Sequence, residues 1–146
     1  KGIKNDIMLV DDYAHHPTEV SATLQAARDG WDRRIIAVFQ PHLYSRTKDF
    51  HKEFAAAFMN SDILIITDIY PARELPIKGV NGELVYNSAR SIGHKNVHYV
   101  PNIENIKECL DGLVKSNDMI ITIGAGTIWR YGQAYFEHLK KLKDAS

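Results

Sequence analysis

Met119-Ile120-Ile121-Thr122-Ile123, followed at once by Gly124-Ala125-Gly126, is the stretch from which the fold is read. Five residues with almost no polar alternation mark a strand covered on both faces, and both-faced burial is the habit of parallel sheets. The two glycines read as a tight turn. They lack the third glycine of a dinucleotide fingerprint and follow the last strand rather than the first. The apolar theme recurs upstream in Ile63-Leu64-Ile65-Ile66, Ile35-Ile36-Ala37-Val38-Phe39 and Ile7-Met8-Leu9-Val10, and more weakly in Val97-His98-Tyr99-Val100. Between these runs the apolar spacing turns helical. Val20, Leu24 and Ala27 follow Pro17 and stop at Gly30, and Phe50, Phe54, Ala57 and Phe58 form a second stripe. Leu84 to Ile92 predicts a third helix. Ile103, Ile106, Leu110 and Leu113 predict a fourth, and Ile128 to Leu142 a fifth, which closes on the basic residues Lys140, Lys141 and Lys143. Strand and helix alternate from end to end, so the expected fold is α/β: a parallel sheet with helices on both faces, a three-layer αβα sandwich.

The 146 residues suffice for one domain, 1–146, with a core that needs neither metal nor disulfide. Lysine plus arginine number 18 and so do aspartate plus glutamate, which leaves no general field to gather nucleic acid or an anionic membrane. Cys109 is the single cysteine, so no intrachain disulfide forms, and it reads as a structural thiol on the fourth helix. No apolar run approaches the ~20 residues that span a bilayer. The chain opens at Lys1 rather than at a methionine, which leads to the expectation that another segment precedes it.

In open α/β sheets ligands bind beyond the carboxyl ends of the strands. The residues found there are Asp11-Asp12-Tyr13-Ala14-His15-His16-Pro17, Gln40-Pro41-His42-Leu43-Tyr44-Ser45-Arg46 and Asp68-Ile69-Tyr70-Pro71-Ala72-Arg73. Carboxylates, three histidines, tyrosines and arginine are thus expected to converge on one edge. The aspartates also suit turn and helix capping, and the histidines lack the spacing of a helical metal pair, so no metal site is expected. Arg46 offers the planar fork that grips a carboxylate with two hydrogen bonds. Asp68 to Gly82, with two prolines and two glycines, is the longest irregular stretch, and loops of that length are commonly functional.

Asp12-Tyr13-Ala14-His15-His16-Pro17 resembles the D-x-A/G-H-x-P signature of the carboxy-terminal domain of Mur ligases and folylpolyglutamate synthases. The strings 11–20, 40–47, 68–74 and 124–129 together resemble the Mur ligase family along nearly the whole chain. The resemblance implies a Rossmann-like, mostly parallel sheet of five to six strands, one of them antiparallel. It also implies a bacterial, cytoplasmic, ATP-dependent amide-forming ligase of three domains, of which this would be the third. Among the family's reactions, the strings point to the one that joins L-alanine to UDP-N-acetylmuramate through an acyl phosphate in peptidoglycan synthesis. ATP and Mg2+ would then be held mainly by the other domains. Residue by residue, Asp12 and Tyr13 match the nucleotide side, with Asp12 accepting hydrogen bonds from the ribose. Tyr13 and His15 match residues lining the alanine and phosphate side of the cleft, and His15 is the candidate catalytic residue. Arg46 matches the arginine that binds the alanine carboxylate, and His42, Tyr70 and Arg73 stand beside it as further substrate-binding residues. The family often carries a second arginine where this chain has Leu43, leaving His42 or Arg73 as the replacement donor.

No G-x-x-x-x-G-K-[ST] sequence occurs, so the chain alone is expected neither to hydrolyse ATP nor to form amides. The rival reading is a receiver-like phosphoacceptor, with Asp11, Asp12 and Asp68 as its acidic cluster. It lacks the lysine such modules need after the fifth strand, where Gly124-Ala125-Gly126 stands instead.

Overall fold

The computed structural model describes the backbone of residues 2–4 and 6–145 and the side chains of residues 6–141. Lys1 and the side chain of Lys143 therefore lie outside the described residues. Six strands, β1 (Gly2–Lys4), β2 (Ile7–Asp12), β3 (Ile35–Phe39), β4 (Ile63–Thr67), β5 (Val97–Val100) and β6 (Met119–Ile123), form one sheet in the order β1-β2-β6-β3-β4-β5. Every pairing is parallel except β1 with β2. Five helices connect and flank them: α1 (Pro17–Gly30), α2 (Tyr44–Ala57), α3 (Glu83–Ser91), α4 (Ile106–Leu113) and α5 (Ile128–Ala145).

Alternation along the strands divides the core in two. Ile35, Ala37, Phe39, Leu64, Ile66, Ile121 and Ile123 face α1, α2 and α3, where Val20, Leu24, Phe54 and Val85 are fully buried, as is Phe58 just past the end of α2. Ile36, Val38, Ile63, Ile65 and Ile120 face α4 and α5 and meet Ile106, Leu110, Ile128 and Phe136. With apolar neighbours on both faces, every residue of β3, β4 and β6 is buried, which accounts for the unalternated runs. The fourth helix starts later than its apolar spacing predicts. The Asn102 side chain accepts from Glu104 N at 3.0 Å and closes a 3-10 turn over Ile103–Asn105 first.

The sheet order positions the functional edge. β6 lies between β2 and β3, yet α1 and α2 pack on one face while α5 packs on the other, so the chain diverges at the carboxyl end of β6. Such a switch opens a crevice for ligands. The register sets Asp12, Ile123, Phe39 and Ile66 in one row, so the loops that follow start at the same height.

At the opposite edge His94 is buried, 9% exposed. Its Nδ1 accepts from Asn96 N at 3.2 Å, and its Nε2 lies 3.1 Å from the carbonyl of Ser61, which fixes a neutral ring. Burial lowers its pKa from 6.5, and the lowered pKa values of His42 and His98 act in the same direction. The unfolded chain therefore binds more protons than the folded one just below pH 6.5. Stability is complete above that pH and is lost as pH falls toward the depressed folded values. Thermal unfolding should show a melting temperature that drops from pH 7 to pH 5, with a shallower drop in His94→Gln; a flat profile would contradict this assignment.

Candidate functional site

The β2–α1 turn is built by its own polar side chains. Asp12 Oδ1 accepts from Ala14 N at 2.8 Å and Oδ2 from Thr23 Oγ1 at 2.6 Å, tying the turn to α1. Glu19, in the first turn of α1, accepts from His15 N at 3.2 Å and from His16 N at 3.1 Å, satisfying donors that a helix start leaves open. Backbone donation from His15 is also the main reason the Glu19 pKa is lowered. Tyr13 is left 60% exposed on the rim.

Beyond β3 and β4 the pairing continues for a few residues. Tyr70 N donates to Pro41 O at 2.8 Å, and Leu43 N donates to Tyr70 O at 3.0 Å. This extension stacks the His42 and Tyr70 rings at 5.8 Å and 15°. Leu43 begins α2 in a left-handed conformation (φ 72), and Arg46 follows one turn after His42. The rings of His15 and His42 lie 6.2 Å apart, edge to face. Arg46 Nη1 is 3.1 Å from His42 Nδ1. Three separate segments thus bring two imidazoles, a phenol and a guanidinium to one rim.

The contacts assign the protons. A guanidinium only donates, so His42 Nδ1 accepts and the ring carries its proton on Nε2. Burial, then the Arg46 charge, lowers the His42 pKa and keeps the ring neutral. His15 is the mirror case. Its Nδ1 lies 3.1 Å from the Tyr13 carbonyl, which only accepts, so Nδ1 carries a proton, with Glu19 Oε1 3.7 Å away, and Nε2 is the ring nitrogen left without a partner inside this turn. The two rings thus use Nδ1 in opposite senses, His42 accepting there and His15 donating.

Several expected members lie elsewhere. Asp11 and Asp12 point to opposite faces of the sheet: Asp11 accepts from Thr122 Oγ1 at 2.6 Å and from Gln133 Nε2 at 2.8 Å, on the α5 side. The His16 ring packs on Phe50 at 5.3 Å and stands 6.4 Å from the His15 ring, and Arg73 is exposed on its loop. Asp68 Oδ1 caps Ile69 N and Gly82 N at 2.9 and 3.0 Å. Asp11, Asp12 and Asp68 thus turn to different partners rather than to a common phosphoacceptor pocket. Among the described residues no three His, Cys, Asp or Glu side chains are grouped to hold a metal ion. Within the same residues no helix is long and apolar enough to cross a membrane.

Two supporting residues escaped the sequence reading. Gln40, 5% exposed, accepts at Oε1 from Thr127 N at 2.8 Å and Ile128 N at 3.0 Å, capping α5 across the crevice. Glu74 accepts from Ser45 N at 3.1 Å and from Ser45 Oγ, at the start of α2. Gly126 lies between Gln40 and Tyr70, and a Cβ there would meet the Tyr70 ring at 2.5 Å.

A family model described as the Mur ligase, glutamate ligase domain matches residues 1–126. The chain belongs to this family. Among related Mur ligases, the UDP-N-acetylmuramate–L-alanine ligase of Geotalea uraniireducens is 51% identical over 140 residues, covering 96% of this chain and 31% of that protein. The ligase of the same name from Salinibacter ruber is 50% identical over 141 residues, covering 96% of this chain and 30% of that protein. The chain thus spans just under a third of the length of the curated relatives it matches. Of solved Mur ligases, the UDP-N-acetylmuramate–alanine ligase of Thermotoga maritima superposes with a TM-score of 0.76 at 26% identity, over 92% of this chain and 27% of that one. A murein peptide ligase from Psychrobacter arcticus shares the fold, with a TM-score of 0.75 at 21% identity over 95% of this chain and 28% of that one.

Proposed function

We propose that this chain is the carboxy-terminal domain of a three-domain UDP-N-acetylmuramate–L-alanine ligase acting in the bacterial cytoplasm. That ligase joins L-alanine to the lactyl carboxylate of UDP-N-acetylmuramate and converts ATP to ADP and phosphate. The names of the relatives support the reaction, and the opposed tautomers of His15 and His42 beside Arg46 are the observation that carries it. An amino acid presents a carboxylate to be gripped and an ammonium that must lose a proton before it attacks. Arg46 and the Nε2–H of His42 supply donors for the first, with His42 standing in for the arginine replaced by Leu43. His15 Nε2 supplies the base for the second. Tyr70 holds the His42 ring by stacking, Tyr13 lines the approach, and Arg73, exposed one residue before Glu74, is the further substrate-binding cation of this reading.

ATP supplies the phosphoryl group that turns the carboxylate oxygen into a leaving group. Asp12 fits its ribose. Each carboxylate oxygen has one partner within the domain, and its remaining lone pairs can accept from hydroxyls. Among the described residues no acidic or histidine cluster fits Mg2+, so the other domains of the ligase would hold that ion. Lys4 pairs with Ile7 and Gly2 with Leu9, so the chain traced back toward its start heads for the carboxyl ends of the strands.

The test is assembly of the reaction. The full-length protein carrying this domain, given ATP, L-alanine and UDP-N-acetylmuramate, should release phosphate and form the amide, while residues 1–146 alone should do neither. A full-length protein that forms no amide from this pair, or a fragment that does, would overturn the proposal.

A further inference from the structure

The start of α2 lacks a cap of its own. Its N-cap residue is Leu43, whose side chain accepts no hydrogen bond, although the exposed donors of a helix's first turn call for an acceptor. The acceptor comes from 29 residues downstream. Glu74 takes Ser45 N at 3.1 Å and the Ser45 hydroxyl as well, and the next residue in that turn is Arg46. Glu74 also closes a short turn, its N–H donating to Pro71 O at 2.9 Å, with Ala72 in the left-handed region (φ 53). The segment 70–74 is therefore fastened at both ends to the 42–46 segment. Tyr70 stacks on His42 at one end, and Glu74 holds Ser45 at the other.

We infer that Glu74 is a positioning residue for the acceptor amino acid, its carboxylate locking the first turn of α2 so that Arg46 and His42 face the cleft together. The inference rests on the proposed function. Glu74 does not meet the amino acid; it acts through Ser45 on the helix turn that carries Arg46. The charge suits the place, because a carboxylate at a helix start is favoured by the backbone dipoles. Donation from the Ser45 hydroxyl, with help from Arg46, lowers the Glu74 pKa, so the group stays ionised through the neutral range.

The experiment compares Glu74→Ala and Glu74→Gln with the parent in the full-length ligase, varying L-alanine and ATP separately. Loss of a hydrogen-bonded charge at such a cap corresponds to about a tenfold change, so the alanine variant should raise the KM for L-alanine about tenfold. The KM for ATP should stay within about twofold, because Asp12 lies on another segment. Glutamine keeps the acceptor oxygen but not the charge, and its KM for L-alanine should fall between the two. An unchanged KM for L-alanine in both variants would overturn the inference, as would equal rises in both KM values accompanied by a lowered melting temperature. If the alanine variant fails to fold, the glutamine variant decides by the same two readings. A parent that forms no amide would instead defeat the proposed function, so the two failures are distinguishable.

Discussion

Under the proposed function, Arg46→Ala in the full-length protein is expected to raise the KM for L-alanine by about 10- to 100-fold, the range that loss of a charge-assisted hydrogen bond implies. The KM for ATP should change by less than about twofold, since distant groups act independently. Two consequences combine at this position. The carboxylate loses its cationic fork, and His42 Nδ1, now 3.1 Å from Arg46 Nη1, loses the donor that fixes its proton on Nε2. The neutral ring is then free to adopt the other tautomer and withdraw the second donor as well. Arg46→Lys should recover only part of the loss, because an ammonium restores charge without the planar fork. Steady-state kinetics with each substrate varied in turn decides the matter, and equal effects on both KM values would remove Arg46 from the carboxylate site.

Gly82→Ala should be the most destabilising small substitution in the domain. Gly82 sits at the start of α3 with an ordinary backbone conformation (φ −62), so the difficulty is space rather than strain. An added Cβ would lie 2.2 Å from the carbonyl oxygen of Thr67, the last residue of β4, and 3.1 Å from the Tyr99 ring. Neither can withdraw cheaply, because Thr67 is fixed in the sheet and Gly82 N is held by Asp68 Oδ1 at 3.0 Å. Overpacking against backbone costs about 3 kcal/mol, which for a chain of this size lowers the melting temperature by roughly 10 °C. Gly112→Ala supplies the control. It lies within α4 with nothing inside 4 Å of the added methyl, so relief of glycine's helix penalty should leave the melting temperature level or slightly raised. Calorimetry in which Gly82→Ala melted with the parent would contradict the close packing of α3 on β4.

The strands were legible wherever burial on both faces removes alternation, as in Ile63–Thr67 and Met119–Ile123. β1 was not, because three residues including a glycine carry no period, and that strand is defined by the edge of β2 on which it pairs. The candidate site divides in the same way. That His15, His42 and Arg46 come together at one rim was legible from their place after parallel strands. The turning of Asp11 to α5 was hidden, since which face a residue takes at a strand end depends on the register with β6. Gln40 and Glu74 were hidden for a different reason. Each caps a helix far away along the chain, Thr127 in one case and Ser45 in the other, and no local pattern records a contact of that span. Asp12 suits both a cap and a ribose ligand. The cap is formed within the domain, and the lone pairs left over are what the second role would use.

The most direct measurement is a crystal structure of the full-length ligase with L-alanine bound. The account predicts the carboxylate within hydrogen-bond distance of the Arg46 guanidinium and His42 Nε2, with the amine turned toward His15 Nε2. An amino acid seated away from all three, with their side chains still facing solvent, would contradict it.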